Sequence, residues 1–207
     1  RSLEFVRLRR SERERDLGEA GAVTRIAITG TSLRTSLGSQ TSVVVDRLLA
    51  GEHAFGDGAP ARARIHDALR PSRHRRFLKR MGLFALEVGH DAWASSKSVV
   101  AGERLGLYFG YGGLRAHWED LATAFRAQQA DGRAHDAWNL GLRHLHPFWM
   151  LGHLSNNAHA LFGIDVGARG DGLTLAGGNA SAQAIAAASD AIRAGVVDAA
   201  IVVGYDT

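Results

Sequence analysis

The chain has 207 residues, 45% of them hydrophobic and 22% charged, with 25 Gly, 3 Pro and no Cys. This is globular usage, enough for one domain with a sizeable core and too little for two independent ones. The lack of Cys removes disulfides, thiolate metal sites and any cysteine nucleophile.

No apolar run approaches the roughly 18 residues of a membrane span, and no signal-peptide pattern follows the Arg-rich start. A cytoplasmic chain without a membrane span is therefore expected. The 25 Lys and Arg against 21 Asp and Glu leave a modest +4, so position matters more than sum. Arg1 to Glu19 hold six Arg and five acids, which cancel; residues 1–22 read as a charged tail and 23–207 as the folded domain. Arg70, Arg73, Arg75, Arg76, Lys79 and Arg80 have no acid among them and form a local positive patch.

Thr24 to Thr29 (TRIAIT) alternates and is rich in β-branched residues, the pattern of a strand, and Gly30 with the Ser/Thr-rich stretch to Ser39 makes a loop. Gln40 to Ala50 spaces Val43, Val44, Leu48 and Leu49 as a helix ended by Gly51. After a Gly/Ala/Arg/Pro loop to Pro71, Phe77, Met81, Phe84, Ala85, Val88 and Trp93 trace a long amphipathic helix whose N-terminal portion is the Arg cluster. Arg104 to Phe109 is a strand closed by glycines, followed by a helix over Leu114 to Gln129; Gly132 to Arg143 has no clear pattern. Phe148 to Leu161 reads as a helix ended by Gly163. Leu173 to Ala176 is a short strand, Gly177-Gly178 a sharp turn, Ala180 to Ala194 an Ala-dominated helix stopped by Gly195, and Ala199 to Val203 another strand. Together these predict an α/β fold, a mostly parallel sheet with helices packed on it, the Ala-rich helix lying buried with close backbone approach.

A strand that enters a glycine turn and then a helix is where α/β enzymes place a nucleophile, because the helix N-terminus favours an anion. The stretches TRIAITGTSLRTSLGSQTSVVVDRLLAGEHAF, RRFLKRMGLFALEVGHDAW, RLGLYFGYGG and HPFWMLGHLSNNAHALFGIDVGARGDGLTLAGGNASAQAIAAASDAIRAGVVDAAIVVGYDT resemble the N-terminal half of a β-ketoacyl synthase, over nearly everything from Val23 to Thr207. The most specific portion is the last: strand, elbow at Gly177 to Ser181, Ile192-Arg193-Ala194-Gly195, Asp198, and Gly204-Tyr205-Asp206. The resemblance implies a thiolase-like half-fold and, for the family, decarboxylative condensation of an acyl group with a malonyl unit on acyl carrier protein.

The family's elbow cysteine falls on Gly178, so the acyltransferase nucleophile is missing, and no catalytic residue is assigned. Thiolate attack on a thioester needs a side chain that glycine does not have. The nucleophile-equivalent elbow is Gly177, Gly178, Asn179 and Ser181. Ser181, three positions on, is the one alternative nucleophile. The family's two His and its Lys lie in its second half and have no counterpart here.

The resemblance is thus closest in kind to Cys-less chain-length-factor subunits, and Leu154 to Ile164 is compatible with the Cys-less partners of aryl-polyene-type systems. It implies a non-catalytic partner in fatty-acid or polyketide biosynthesis, associating with an active ketosynthase, or with a second copy of itself, and with acyl carrier protein. Arg73, Arg76, Lys79 and Arg80 are the expected carrier-docking residues, and Leu173, Thr174, Leu175 and Ala176 the expected dimer edge.

The alternative is a fragment of an active synthase, consistent with Arg at position 1. A basic nucleic-acid module is a further alternative, but the chain lacks RNP-like aromatics and a helix-turn-helix pattern, so no nucleic acid is expected. His144, His146, His153 and His159 have no compact ligand spacing, and Gly110-Tyr111-Gly112-Gly113 lacks the rest of a phosphate-loop motif. No metal or cofactor is expected.

Overall fold

The computed structural model describes residues 25–53, 65, 67–112, 121–126 and 143–206. The tail at 1–22, most of the segment expected as a helix over 114–129, and the stretch 132–142 lie outside the described residues.

Helix α1 spans Thr41–Leu49 and α2 Arg80–Ser96; strand β1 spans Leu105–Tyr111. Residues 121–126 are helical, and Met150–His153 form one 3-10 turn. Then come α3 (Asn157–Val166), β2 (Gly172–Ala176), α4 (Ala180–Arg193) and β3 (Ala199–Tyr205). The three strands form a parallel sheet in the order β2-β1-β3, with Tyr111 opposite both Ala176 and Tyr205, so all three carboxyl ends meet at one edge. β1 is the central strand and its first six residues are buried, as a near-continuous apolar run covered on both faces should be.

Two cores cover the two faces. On one, α2 and α3 pack Leu83, Leu86 and Phe162 against Leu105, Leu107 and Phe109; each such side chain, fully buried, contributes roughly 1.5–3 kcal/mol. α2 closes on this core through Gly89, where an added Cβ would meet the Phe162 ring at 2.9 Å. On the other face α4 lays Ala184, Ala188 and Ala191 against Tyr108 and Val197, while its opposite side leaves Ile185 exposed. Arg104, one residue before β1, grips Asp198, one residue before β3, and donates to the carbonyls of Gly195 (3.1 Å) and Val196 (2.9 Å). The motif aspartate is therefore a clasp that sets the strand starts level.

Four expectations change. Residues 25–34 carry no strand, and Ile28 is exposed: alternation supplies a pattern, but a strand also needs a ladder partner, and this one pairs with none among the described residues. The basic segment precedes α2 as a series of turns over residues 73–78, and only Arg80 of the cluster lies in the helix. The helix read over Phe148 to Leu161 is a 3-10 turn and α3, separated at Leu154, whose ψ of 125° is extended. Nor does Gly163 end α3. It lets the helix approach Leu107, where a Cβ would come within 3.2 Å, and the stop is Gly167, left-handed at φ 66°.

No helix among the described residues is long and apolar enough to cross a membrane.

Candidate functional site

The chain leaves β2 at Ala176 and turns through Gly177, whose φ of +124° suits glycine and whose N–H donates to Tyr111 O at 3.0 Å. Gly178 follows without a positive φ, Asn179 occupies the N-cap position, and α4 begins at Ala180. No side chain caps α4 and no acid lies in its first turn, so its positive end is uncompensated and favours a negative charge. The helix start sits directly on two glycines paired across the sheet. An added Cβ at Gly110 would meet backbone of Ala180 and Ser181 at 2.5 Å, and one at Gly204 would meet Ser181 Oγ at 2.4 Å.

This places the elbow outside the carboxyl ends of the parallel strands, the usual ligand position in open α/β sheets. Tyr111 and Tyr205 stack there at 6.0 Å, and Tyr205 OH donates to Ser155 O at 3.3 Å. Burial pushes the Tyr205 phenol up to about 12, so it stays a neutral donor.

A Cβ at Gly178 would meet nothing within 4 Å among the described residues, so there the position has room for a side chain and carries none. Ser181 points its Oγ against Gly204 and makes no hydrogen bond to a base among the described residues. It packs the helix onto β3 and is not activated. The elbow can offer amides and a helix dipole to an anion; it has nothing with which to attack a thioester.

Leu173, Thr174, Leu175 and Ala176 lie on β2, at the sheet edge, which pairs only with β1 among the described residues. Leu173 and Ala176 are exposed. Inside this edge His159 stacks on Phe109 at 5.2 Å and pairs through Nδ1 with Thr174 Oγ1 at 2.9 Å. Burial lowers the His159 pKa, which favours the neutral ring. The four histidines do not converge. His146 accepts from Phe148 N and His153 packs on Trp149, and no group of three His, Asp or Glu side chains arranged to hold a metal ion occurs among the described residues.

The structure divides the four expected docking residues. Arg73 reaches Asp165, which also faces His74 at 3.0 Å and His90 at 3.2 Å. Burial pushes the Asp165 carboxyl up, but the hydrogen bonds of His74, Arg73 and His90 outweigh it and hold the pKa below the ordinary range. Arg80 donates to the carbonyls of Ile65 and Asp67, both at 3.0 Å, and lies over Phe84. Arg76, over Phe77 at 4.6 Å, and Lys79 instead line a groove of about 340 Å³. Asp165, 92 positions from Arg73, had no sequence signal, and neither did the aromatic wall of that groove.

The "Beta-ketoacyl synthase, N-terminal domain" profile matches residues 68–207, well over half of the chain. The chain belongs to the β-ketoacyl synthase family. No curated protein matches the sequence. Among solved structures, a β-ketoacyl synthase from Burkholderia phymatum STM815 is 18% identical with a TM-score of 0.60, over 84% of this chain and 45% of that one. A type II polyketide synthase acyl-carrier protein in complex with its ketosynthase bound to the hexaketide (AntDE:AntF) gives 15% identity and TM-score 0.64, over 87% and 50%. The ishigamide ketosynthase/chain length factor gives 18% and 0.57, over 82% and 49%. This ketosynthase-family chain thus has the thiolase-like fold and spans about half the length of the structures it matches.

Proposed function

We propose that this chain is a non-catalytic ketosynthase-like partner in fatty-acid or polyketide assembly, aryl-polyene-type systems included, working beside an active ketosynthase and an acyl carrier protein. The observation that carries this reading is Gly178: at the position the sequence resemblance gives to the family's cysteine there is a helix dipole, no side chain and, among the described residues, open space. Its structural likenesses include a ketosynthase in complex with an acyl-carrier protein and a ketosynthase/chain length factor, which supports the choice of partners.

Residues 173–176 are the proposed pairing edge, because an open parallel strand keeps unpaired backbone donors and acceptors that a second chain satisfies. Carrier docking is assigned to the basic segment, with Arg76 and Lys79 contacting the acidic partner and Arg73 and Arg80 fixing the segment's shape.

Incubation of the chain with malonyl-loaded carrier protein tests the reading, with and without a matched active ketosynthase. Carbon dioxide is expected only when the active subunit is present, together with co-elution of the two chains on gel filtration. Release by this chain alone, or failure of the two to associate, refutes the reading.

A further inference from the structure

The groove beside the basic segment has a construction of its own, away from the elbow. Arg75, Arg76 and Lys79 line one wall, Phe148 and Trp149 the other, and Phe77 lies between them; among the described residues no lining side chain is acidic. Phe77 and Phe148 meet edge to face at 5.4 Å and give an apolar surface. The two walls are pinned together by Asn157, whose Nδ2 donates to Phe77 O at 2.8 Å and to Leu151 O at 2.7 Å. The shape is therefore set before anything binds.

Three further observations point to a ligand. Arg70, Arg73 and Arg80 are engaged by Glu87 and Asp91, by Asp165, and by the carbonyls of Ile65 and Asp67, whereas Arg75 and Arg76 have no carboxylate partner among the described residues. α2 starts at the groove with no side-chain cap and no acid in its first turn, adding the positive end of a 17-residue helix. The Trp149 indole N–H is buried and lacks a hydrogen-bond partner among the described residues, an unmet donor in the groove's own wall.

We propose that this groove binds an organic anion: a phosphate or carboxylate head on a short apolar or aromatic body. The head lies among Arg75, Arg76 and Lys79, and the body lies against Phe77 and Phe148. At about 340 Å³ the space is at the lower end of the small-molecule range, suited to a short chain or single ring. The site is separate from the elbow and shares Arg76 and Lys79 with the proposed carrier contact, so a docked carrier and the free anion would compete for them.

Octyl phosphate titrated into the full chain by calorimetry tests this, with inorganic phosphate supplying the head alone and octanol the body alone. Octyl phosphate is expected to bind at least tenfold more tightly than either control. Arg75→Glu with Arg76→Glu, both exposed positions, should weaken it tenfold or more at an unchanged melting temperature, and Phe148→Ala should weaken it several-fold. Leu49→Glu, on the exposed side of α1, should leave it unchanged. Absence of octyl phosphate binding, equal binding of octanol, or undiminished binding to the double Arg variant overturns the proposal.

Discussion

Gly178→Cys separates the two things an elbow must supply, space and chemistry. The position has no positive φ and an added Cβ there meets nothing within 4 Å, so the fold should accept the substitution. Replacing a glycine at a compatible backbone position removes unfolded-state freedom worth about 0.4–1 kcal/mol; the variant should thus match or slightly exceed the parent in urea unfolding. The new thiol would stand just before α4, a 14-residue helix with no acid in its first turn. A helix N-terminus favours a nearby anion by roughly 0.3–1 kcal/mol, a factor of about two to five in thiolate population at constant pH. Because the parent has no cysteine, iodoacetamide labelling followed by mass reads this one site. Alkylation at pH 7 should run about 1.5- to 2.5-fold faster, since a lower pKa also makes the thiolate a weaker nucleophile, than in Thr31→Cys, at an exposed position in no helix or strand. A thiol no faster than that control, or a stability loss above about 1 kcal/mol, would show that the bend does not present position 178 to the helix end.

Two further outcomes follow from the packing and the charges. Gly110→Ala places a Cβ 2.5 Å from the backbone of Ala180 and Ser181, and backbone cannot give way as a side chain does; the loss should reach about 3 kcal/mol or more in urea unfolding, and a loss under 1 kcal/mol would mean α4 is not seated on β1. Burial lowers the folded pKa of His159, so as pH falls below the ordinary value of 6.5 the unfolded chain takes up this proton first. Stability should drop between that value and the lower folded one by up to ~1.4 kcal/mol per pH unit. His159→Asn should abolish that part of the slope while leaving the loss below about pH 4, where Asp165, held low by His74, Arg73 and His90 against the opposing effect of burial, becomes protonated. An unchanged slope would contradict the buried neutral ring.

The elbow region was legible because its signals are local. Gly177 and Gly195 take positive φ values of 124° and 64° at the turns that glycine pairs and helix stops predict, and the Ala stripe of α4 settles on the sheet as its spacing requires. The strand pattern at 24–29 was not decisive, since pairing depends on a neighbour that alternation cannot supply. Gly163 and Gly167 look alike in sequence, yet one permits close packing and the other ends the helix. The division of the basic segment depends on Asp165, Glu87 and Asp91, carboxylates brought in from α2 and α3, so a run of like charges could not show which members remain for a ligand.

Intact-mass spectrometry of the chain after incubation with an acyl-loaded carrier protein probes the proposed loss of the nucleophile most directly. The parent chain should keep an unchanged mass, because Gly178 has no side chain and Ser181 is packed on Gly204. A gain of one acyl group on the parent, mapped to Ser181 or any other residue, would contradict it.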